Sequence, residues 1–170
     1  MKKLIYVLVV FAFLLGCGYK FNGASIPPQM KTVNVVYFEN NAPLVVPTLS
    51  QQLTEDLKER IRNQSKLSIT PNNPDGVFTG QITGYEIKPI AIQDNQNPIA
   101  GANRLTITVT VKYTNNVDTA GSKANFEDSF TAFVDFSLAG QTLQSQEQSL
   151  IKRVNTQLTE NIFNRAFAQW

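Results

Sequence analysis

A strict alternation of apolar and polar side chains between residues 104 and 114 constrains the fold more than any other feature of the sequence. The apolar positions are Leu105, Ile107, Val109, Val111 and Tyr113, and the polar positions are Arg104, Thr106, Thr108, Thr110, Lys112 and Thr114. This period of two predicts a strand with one buried and one solvated face. The fold must therefore cover one face of a sheet and can leave the other face wet.

A second alternating stretch, Phe126 to Phe136, follows a connection rich in Asn, Gly and Ser. Its apolar row is Phe130, Ala132, Val134 and Phe136, and its polar-facing row is Glu127, Ser129, Thr131, Phe133 and Asp135. Two adjacent strands with matching patterns and a connecting loop are typical of an antiparallel pair. We therefore expect a long hairpin.

Two further stretches predict strands. Thr32 to Phe38 is rich in β-branched and aromatic residues, and Val77 to Lys88 is similar but contains Gly80 and Gly84. Glycines inside a strand indicate a bulge or a close backbone approach. The sequence does not settle which residues of this strand face the core.

Two segments have helical periodicity. In Thr48 to Gln64 an apolar residue recurs every four positions after a Thr-x-x-Gln sequence of the capping-box form. In Gln146 to Trp170 the apolar stripe is Leu150, Val154, Leu158, Ile162 and Ala166, widened by Ile151, Phe163, Phe167 and Trp170. Both segments predict helices with one buried face.

The order strand, helix, three strands, helix predicts one α+β domain over residues 32–170. Two helices would pack on one face of a four-stranded mixed sheet, in the order β-α-β-β-β-α. The sheet is expected to be mixed because the first helix is long enough to serve as a crossover between parallel strands.

The N-terminus predicts a signal peptide over residues 1–16. Lys2 and Lys3 precede an apolar run, Leu4 to Gly16, that is shorter than the roughly 20 residues of a membrane-spanning helix. The run ends Leu-Leu-Gly-Cys, which resembles a bacterial lipobox with Cys17 as the lipidated residue. Residues 17–31 would then be a lipidated tether, carrying diacylglycerol on the Cys17 sulfur and an N-acyl chain such as palmitate. The alternative is an ordinary signal peptide in which Cys17 is incidental.

Composition excludes several function classes. The chain has 15 Lys and Arg against 13 Asp and Glu, and removal of Lys2 and Lys3 leaves a neutral mature chain. A neutral chain does not favour nucleic-acid binding, which needs excess cations. The sequence contains no His and one Cys, and neighbouring acids such as Glu55 and Asp56 do not share a helix face. We therefore predict no catalytic residues, no metal site, and no cofactor beyond the acyl chains on Cys17.

The polar row of the strand at residues 104–114 is the most informative candidate site. Its hydroxyls and two cations predict either an ordinary solvated face or a lightly cationic contact surface for a polar cavity or an anionic, sugar-bearing ligand. The candidate contact residues are Arg104, Thr106, Thr108, Thr110 and Lys112. Phe133, in the polar row of the following strand, is a candidate anchor on the same surface.

The sequence as a whole resembles the LptE family of lipopolysaccharide-assembly lipoproteins. The resemblance lies in the mature start, Cys17-Gly18-Tyr19-Lys20-Phe21, and in the order of elements over residues 32–170. It implies a non-catalytic lipoprotein of the outer membrane that faces the periplasm, plugs and helps assemble the LptD β-barrel, and assists lipopolysaccharide transport. It also implies basic residues near the third strand, where Arg104 lies, and before the last helix.

The sequence departs from the family in the second of these places. Residues Ser137 to Ser149 contain no Lys or Arg, so the expectation rests more on the barrel than on direct contact with lipid A phosphates. The alternative is a free-standing lipid or glycan carrier that works without a barrel partner. An outer-membrane enzyme is the least favoured class, given the inventory of residues.

Overall fold

Two helices and six strands form the part of the chain that the computed structural model describes, which comprises residues 26–90, 102–117, 125–138 and 140–168. The signal peptide, Cys17 and Trp170 lie outside these residues. The elements are β1 Thr32–Val35, β2 Glu39–Asn40, α1 Leu49–Gln64, β3 Ser68–Ile69, β4 Gly76–Ile90, β5 Ala102–Asn115, β6 Phe126–Ser137 and α2 Leu143–Phe167.

The sheet is mixed, with strand order β3-β1-β4-β5-β6 and β2 also paired to β4. Strand β1 runs parallel to both β3 and β4, whereas β4, β5 and β6 form antiparallel pairs. The α+β class and the mixed sheet are confirmed, but the prediction of four strands was wrong. The two additional strands, β2 and β3, are two residues long, which is too short to produce a periodic pattern.

The alternation in β5 and β6 is confirmed. Leu105, Ile107, Val109 and Val111 are fully buried, whereas Thr106, Thr108 and Thr110 are partly exposed. The pairing register places Arg104 opposite Asp135 and Lys112 opposite Glu127. The polar face of β5 therefore continues onto β6.

A bulge in β4 explains why its facing could not be read from the sequence. The register with β5 shifts between Ile82 and Gly84, and Ile82 and Tyr85 are both buried. The extra residue, Thr83, changes which residues face the core, so no single period of two runs through the strand. Gly80 fulfils the other expectation for this strand, because a Cβ there would lie 2.6 Å from the Phe38 ring and 2.6 Å from the Thr110 carbonyl oxygen.

Gly80→Ala is expected to destabilise the domain by about 1–3 kcal/mol, because the added methyl group meets a ring and a backbone oxygen in a packed core. Gly84→Ala is the matched control, since its nearest neighbour is the Thr108 side chain at 3.3 Å. Chemical denaturation of both variants measures the difference. Equal loss of unfolding free energy in the two variants would contradict the close approach at Gly80.

Both helices bury the predicted stripes, but the cap of α1 and the start of α2 differ from the prediction. The Thr48 side chain caps no N–H of α1, so the capping box was wrong; its hydroxyl instead accepts a hydrogen bond from Gln148 Nε2 at 3.4 Å. Helix α2 begins at Leu143, three residues before the predicted start, and the Thr142 hydroxyl caps it by accepting from the Ser145 N–H. Contact between the helices thus replaced the expected local cap at Thr48.

The two helices lie side by side and run parallel, joined by a polar seam. Asp56 accepts hydrogen bonds from Lys152 at 2.5 Å and from the buried Asn155 at 3.2 Å. One turn further along, the Arg60 guanidinium donates to the Thr159 hydroxyl at 3.0 Å. These contacts favour one relative register of the helices, because Asp56, Asn155, Arg60 and Thr159 are partly or fully buried, whereas Lys152 is exposed.

The core between helices and sheet contains an aromatic cluster at the C-terminal end of both helices. The Phe78 ring centroid lies 4.6 Å from Tyr113 and 5.9 Å from Phe167, and Tyr113 also contacts Phe126. Met30 is buried beside it, with its sulfur 3.5 Å from the Tyr113 hydroxyl. The cluster joins β4, β5, β6 and α2 to the segment that precedes β1.

Asp75 fastens the start of β1 to the turn before β4. Its carboxylate accepts hydrogen bonds from the N–H groups of Lys31 at 2.8 Å and Thr32 at 2.9 Å. These hydrogen bonds hold the pKa of Asp75 below its usual value. The carboxylate form is therefore favoured in the folded state.

Asp75→Asn is expected to lower the melting temperature at neutral pH. A lowered folded-state pKa contributes stability above the unfolded pKa, about 4, and this contribution disappears as pH falls through the folded value. The deficit of the variant should therefore be full at pH 7 and smaller at pH 3, as measured by thermal unfolding. Glu59→Gln, on the exposed side of α1, is the control; a deficit that does not change with pH would contradict the role of the charge.

Candidate contact surface of the sheet

The polar side chains of β4, β5 and β6 form one surface on the side of the sheet away from the helices, called here the open face. Its central row is the predicted set on β5, namely Arg104, Thr106, Thr108, Thr110 and Lys112. The flanking rows are Thr79, Gln81, Glu86 and Lys88 on β4, and Glu127, Ser129, Thr131, Phe133 and Asp135 on β6. The structure therefore brings all five predicted contact residues together on one surface.

Arg104 is held in place by two neighbours on β6. Its guanidinium donates to both carboxylate oxygens of Asp135, at 2.6 and 2.8 Å, and stacks 3.9 Å from the centroid of the Phe133 ring. The hydrogen bonds from Arg104 lower the pKa of Asp135. A bidentate pair with a stacked ring orients the guanidinium and presents a flat surface that includes the half-exposed Phe133.

The centre of the open face is hydroxylic. The Thr108 and Thr131 hydroxyls are hydrogen-bonded across the strands at 3.1 Å. Closer to the C-terminal end of β5, Thr110 and Lys112 line a shallow groove with a volume of about 240 Å³, which Glu39 and Glu127 border. Such a surface offers donors and acceptors for wet, hydrogen-bonded contacts.

The charge of the open face differs from the expectation of a lightly cationic surface. Arg104 pairs with Asp135, Lys88 pairs with Glu86 at 2.7 Å, and Lys112 lies opposite Glu127. Each cation has an acid on the neighbouring strand or beside it. The expected cationic character is therefore confined to Lys112, which makes no ion pair with any residue in the described ranges.

Two glutamines of α2 cover part of the free edge of β6, a feature that sequence reasoning missed. Gln157 donates to the Phe133 carbonyl at 3.3 Å and Gln146 donates to the Ser137 carbonyl at 3.1 Å. Side chains that occupy edge carbonyls reduce pairing with other strands. Helical spacing alone could not have shown this, because it requires knowing that α2 lies along β6.

The described residues show neither a metal-binding cluster nor a membrane-spanning helix. Across residues 26–90, 102–117, 125–138 and 140–168, no group of three or more acidic, His or Cys side chains is placed to hold a metal ion. No helix in the same ranges is long and apolar enough to cross a bilayer.

Tyr85, whose hydroxyl donates to Glu147 at 2.9 Å, has a raised pKa because burial and the carboxylate both disfavour the phenolate.

Comparison with known proteins identifies the family. The sequence profile described as LptE, lipopolysaccharide-assembly, matches residues 30–166. The chain belongs to the LptE family. LptE proteins are non-enzymatic lipoproteins. None of the curated proteins compared with the chain gives a match.

Several solved structures resemble this chain at low sequence identity. A hypothetical protein from Chlamydia trachomatis is 10% identical with a TM-score of 0.55, covering 82% of this chain and 99% of its own. A minor lipoprotein from Acinetobacter baumannii is 18% identical with a TM-score of 0.49, covering 80% and 91%. Rare lipoprotein B from Shewanella oneidensis is 14% identical with a TM-score of 0.49, covering 79% and 92%. At these identities, the first supports the assignment of the fold alone.

Proposed function

We propose that this LptE protein is a non-catalytic subunit of the outer membrane, anchored through acyl chains on Cys17 and facing the periplasm. It would plug an LptD-type β-barrel, help that barrel assemble, and assist transport of lipopolysaccharide to the cell surface. The family match over residues 30–166 is the observation that carries this proposal.

The open face supports a contact with the wall of a polar cavity. A barrel lumen lined by polar side chains offers many hydrogen-bonding groups. The open face offers the hydroxyl row of β5, the Gln81 amide on β4, and carboxylates on both β4 and β6. Arg104 and Lys88 are paired with carboxylates, so docking there would leave Lys112 as the unpaired cation of the open face to be desolvated. The stacked pair of Arg104 and Phe133 is the proposed anchor, since aromatic and Arg side chains often dominate interfaces.

Direct contact with lipopolysaccharide is a smaller part of the proposal. Lys112 is the cation of the open face without an ion pair among the described residues, whereas the Arg104 guanidinium is already bound to Asp135. A lipid A phosphate would therefore have to compete with the Asp135 carboxylate for Arg104. We propose that contact with the barrel, rather than phosphate binding, is the main role of this surface.

The rival function, a free-standing lipid or glycan carrier, requires a cavity that can hold its ligand. In the described residues the space between helices and sheet is filled by fully buried side chains, among them Leu53, Leu57, Ile107 and Ile151. The grooves near Lys112 and between α1 and α2 are shallow and lined by polar side chains, and the groove with a partly apolar lining, between residues 26–31 and 63–67, has a volume of about 460 Å³ and opens to solvent rather than enclosing a ligand. This packing favours the barrel subunit.

Site-specific photo-crosslinking tests the proposed contact. A photoreactive amino acid in place of Thr108, at the centre of the open face, is expected to capture a large β-barrel protein in intact cells. Ser129, which lies opposite Thr110 on β6, is a second position expected to capture the same protein, and the matched control at both positions adds Phe133→Asp, which places a carboxylate on the proposed anchor and is expected to lower the yield. Capture of no barrel from either Thr108 or Ser129 would contradict docking through the open face.

A further inference from the structure

The end of the domain nearest the proposed anchor contains a groove that the open face does not use, called here the anchor-side groove. It lies between residues 26–31 and residues 63–67 at the C-terminal end of α1, and has a volume of about 460 Å³. Its floor includes Ile26 and the buried residues Met30 and Leu67. Lys31 and Lys66 line the same groove and are exposed.

Charge distinguishes this end of the domain. Most cations in the described ranges are tied to carboxylates: Lys58, Arg60, Lys88, Arg104, Lys152 and Arg165. In those same ranges Lys31 and Lys66 make no ion pair, nor does Arg62 in the last turn of α1. Lys112 and Arg153 are also without an ion pair, but each lies on another surface.

Acids are scarce around the groove. Its lining contains no Asp or Glu. The nearby Asp75 carboxylate accepts hydrogen bonds from the Lys31 and Thr32 N–H groups. The groove therefore combines two exposed ammonium groups with an apolar floor, which suits a ligand having an anionic end and an apolar end.

The path of the chain indicates which ligand is within reach. Eight residues lie between Cys17 and Ile26, and the nine residue steps that join them span at most about 32 Å when fully extended. If Cys17 carries the proposed acyl chains, the groove lies within that distance of the leaflet that holds them. The surface of that leaflet then supplies phosphate groups at high local concentration.

We propose that the anchor-side groove binds the headgroup of an anionic phospholipid in the leaflet that holds the anchor. Lys31 and Lys66 contact the phosphate, and the apolar floor at Ile26, Met30 and Leu67 receives the first methylene groups of the acyl chains. This contact rests on the anchor proposed above and adds to it an orientation, with the C-terminal end of α1 toward the membrane. The N-termini of α1 and α2 then point away from the bilayer, because the two helices are parallel.

Fluorescence quenching in reconstituted vesicles tests this orientation. The sequence has one Cys, and the proposed lipid on Cys17 would block its sulfur, so Gln64→Cys would provide a unique labelling site in the groove. A fluorophore there is expected to be quenched by headgroup-labelled lipid more strongly in vesicles containing phosphatidylglycerol than in pure phosphatidylcholine. A fluorophore at Gln141→Cys, before the start of α2, is expected to be quenched weakly in both.

Charge variants distinguish a specific contact between the groove and a lipid phosphate from simple proximity of the groove to the bilayer. Lys31→Gln and Lys66→Gln are each expected to reduce the ratio of bound to free headgroup roughly fivefold at low salt, since each cation near an anionic surface contributes about that factor. Arg153→Gln is the matched control and is expected to change nothing. Equal quenching with both lipids, or quenching unaffected by the two Lys variants, would overturn the proposal.

Two further outcomes identify other failures. Protein that does not float with the vesicles contradicts the anchor itself, and with it the orientation derived from it. Quenching at Gln64→Cys that requires lipopolysaccharide in the vesicles would assign the groove to lipid A phosphates and overturn the assignment to phospholipid. Neither result depends on whether an LptD-type barrel binds the open face, so the two proposals fail independently.

Discussion

Cys17→Ala is expected to move most of the protein from the outer membrane to the soluble periplasmic fraction. Each buried acyl CH₂ group contributes about 0.8 kcal/mol, and two or three chains on one residue make attachment effectively permanent. No helix of the described residues could replace them as a membrane span. The folded domain should remain, because Cys17 precedes Met30, the first of the described residues that is buried in the core.

The measurement is fractionation of cells followed by immunoblotting. The variant should be exported behind a signal that is removed without lipidation, so that an uncleaved apolar segment does not retain it. Lys20→Ala, three residues away, is the control and should stay in the membrane. A Cys17→Ala protein that remains in washed outer membranes at an unchanged level would show that protein contacts hold it and that the acyl chains are secondary.

Phe78→Ala is expected to cost about 3–5 kcal/mol of unfolding free energy. The Phe78 side chain is fully buried, and its ring meets Tyr113 on β5 and Phe167 on α2. Removing the ring leaves a cavity where the sheet meets the end of α2. The melting temperature should fall by about 10–15 °C for a domain of this size.

Thermal unfolding of the soluble domain variant measures this loss. Tyr37→Ala removes a ring of similar size from a position that is 56% exposed, and is expected to change the melting temperature by no more than 1–2 °C, or about 0.5 kcal/mol. A Phe78→Ala melting temperature close to that of Tyr37→Ala would contradict the placement of the aromatic cluster in the core.

Long elements with one buried face could be predicted from the sequence, because the spacing of their apolar residues shows which face is buried. This holds for β5, β6, α1 and the stripe of α2. Even the register of the hairpin was accessible in principle. Every pair of this hairpin, from Ala102 with Ser137 to Tyr113 with Phe126, is equidistant in sequence from the middle of the connection between the two strands. Centring the hairpin there places Arg104 opposite Asp135.

Features that depend on contacts between distant segments could not be predicted. Strands β2 and β3 exist because longer strands lie beside them, and the facing of β4 changes at Thr83. The candidate site also has a part that the sequence predicts and a part that it does not. The row from Arg104 to Lys112 follows from alternation, whereas the paired charges around it and the anchor-side groove depend on which elements meet in the fold.

The central claim is that this chain is the lipoprotein subunit of an outer-membrane barrel, and purification from the native membrane tests it most directly. The C-terminally tagged protein would be isolated in mild detergent, and the chains that co-purify would be identified and quantified. The account predicts a large β-barrel of the LptD type recovered in a one-to-one ratio. Recovery of the protein alone, with bound lipid in its mass spectrum, would contradict the account and favour the free-standing carrier.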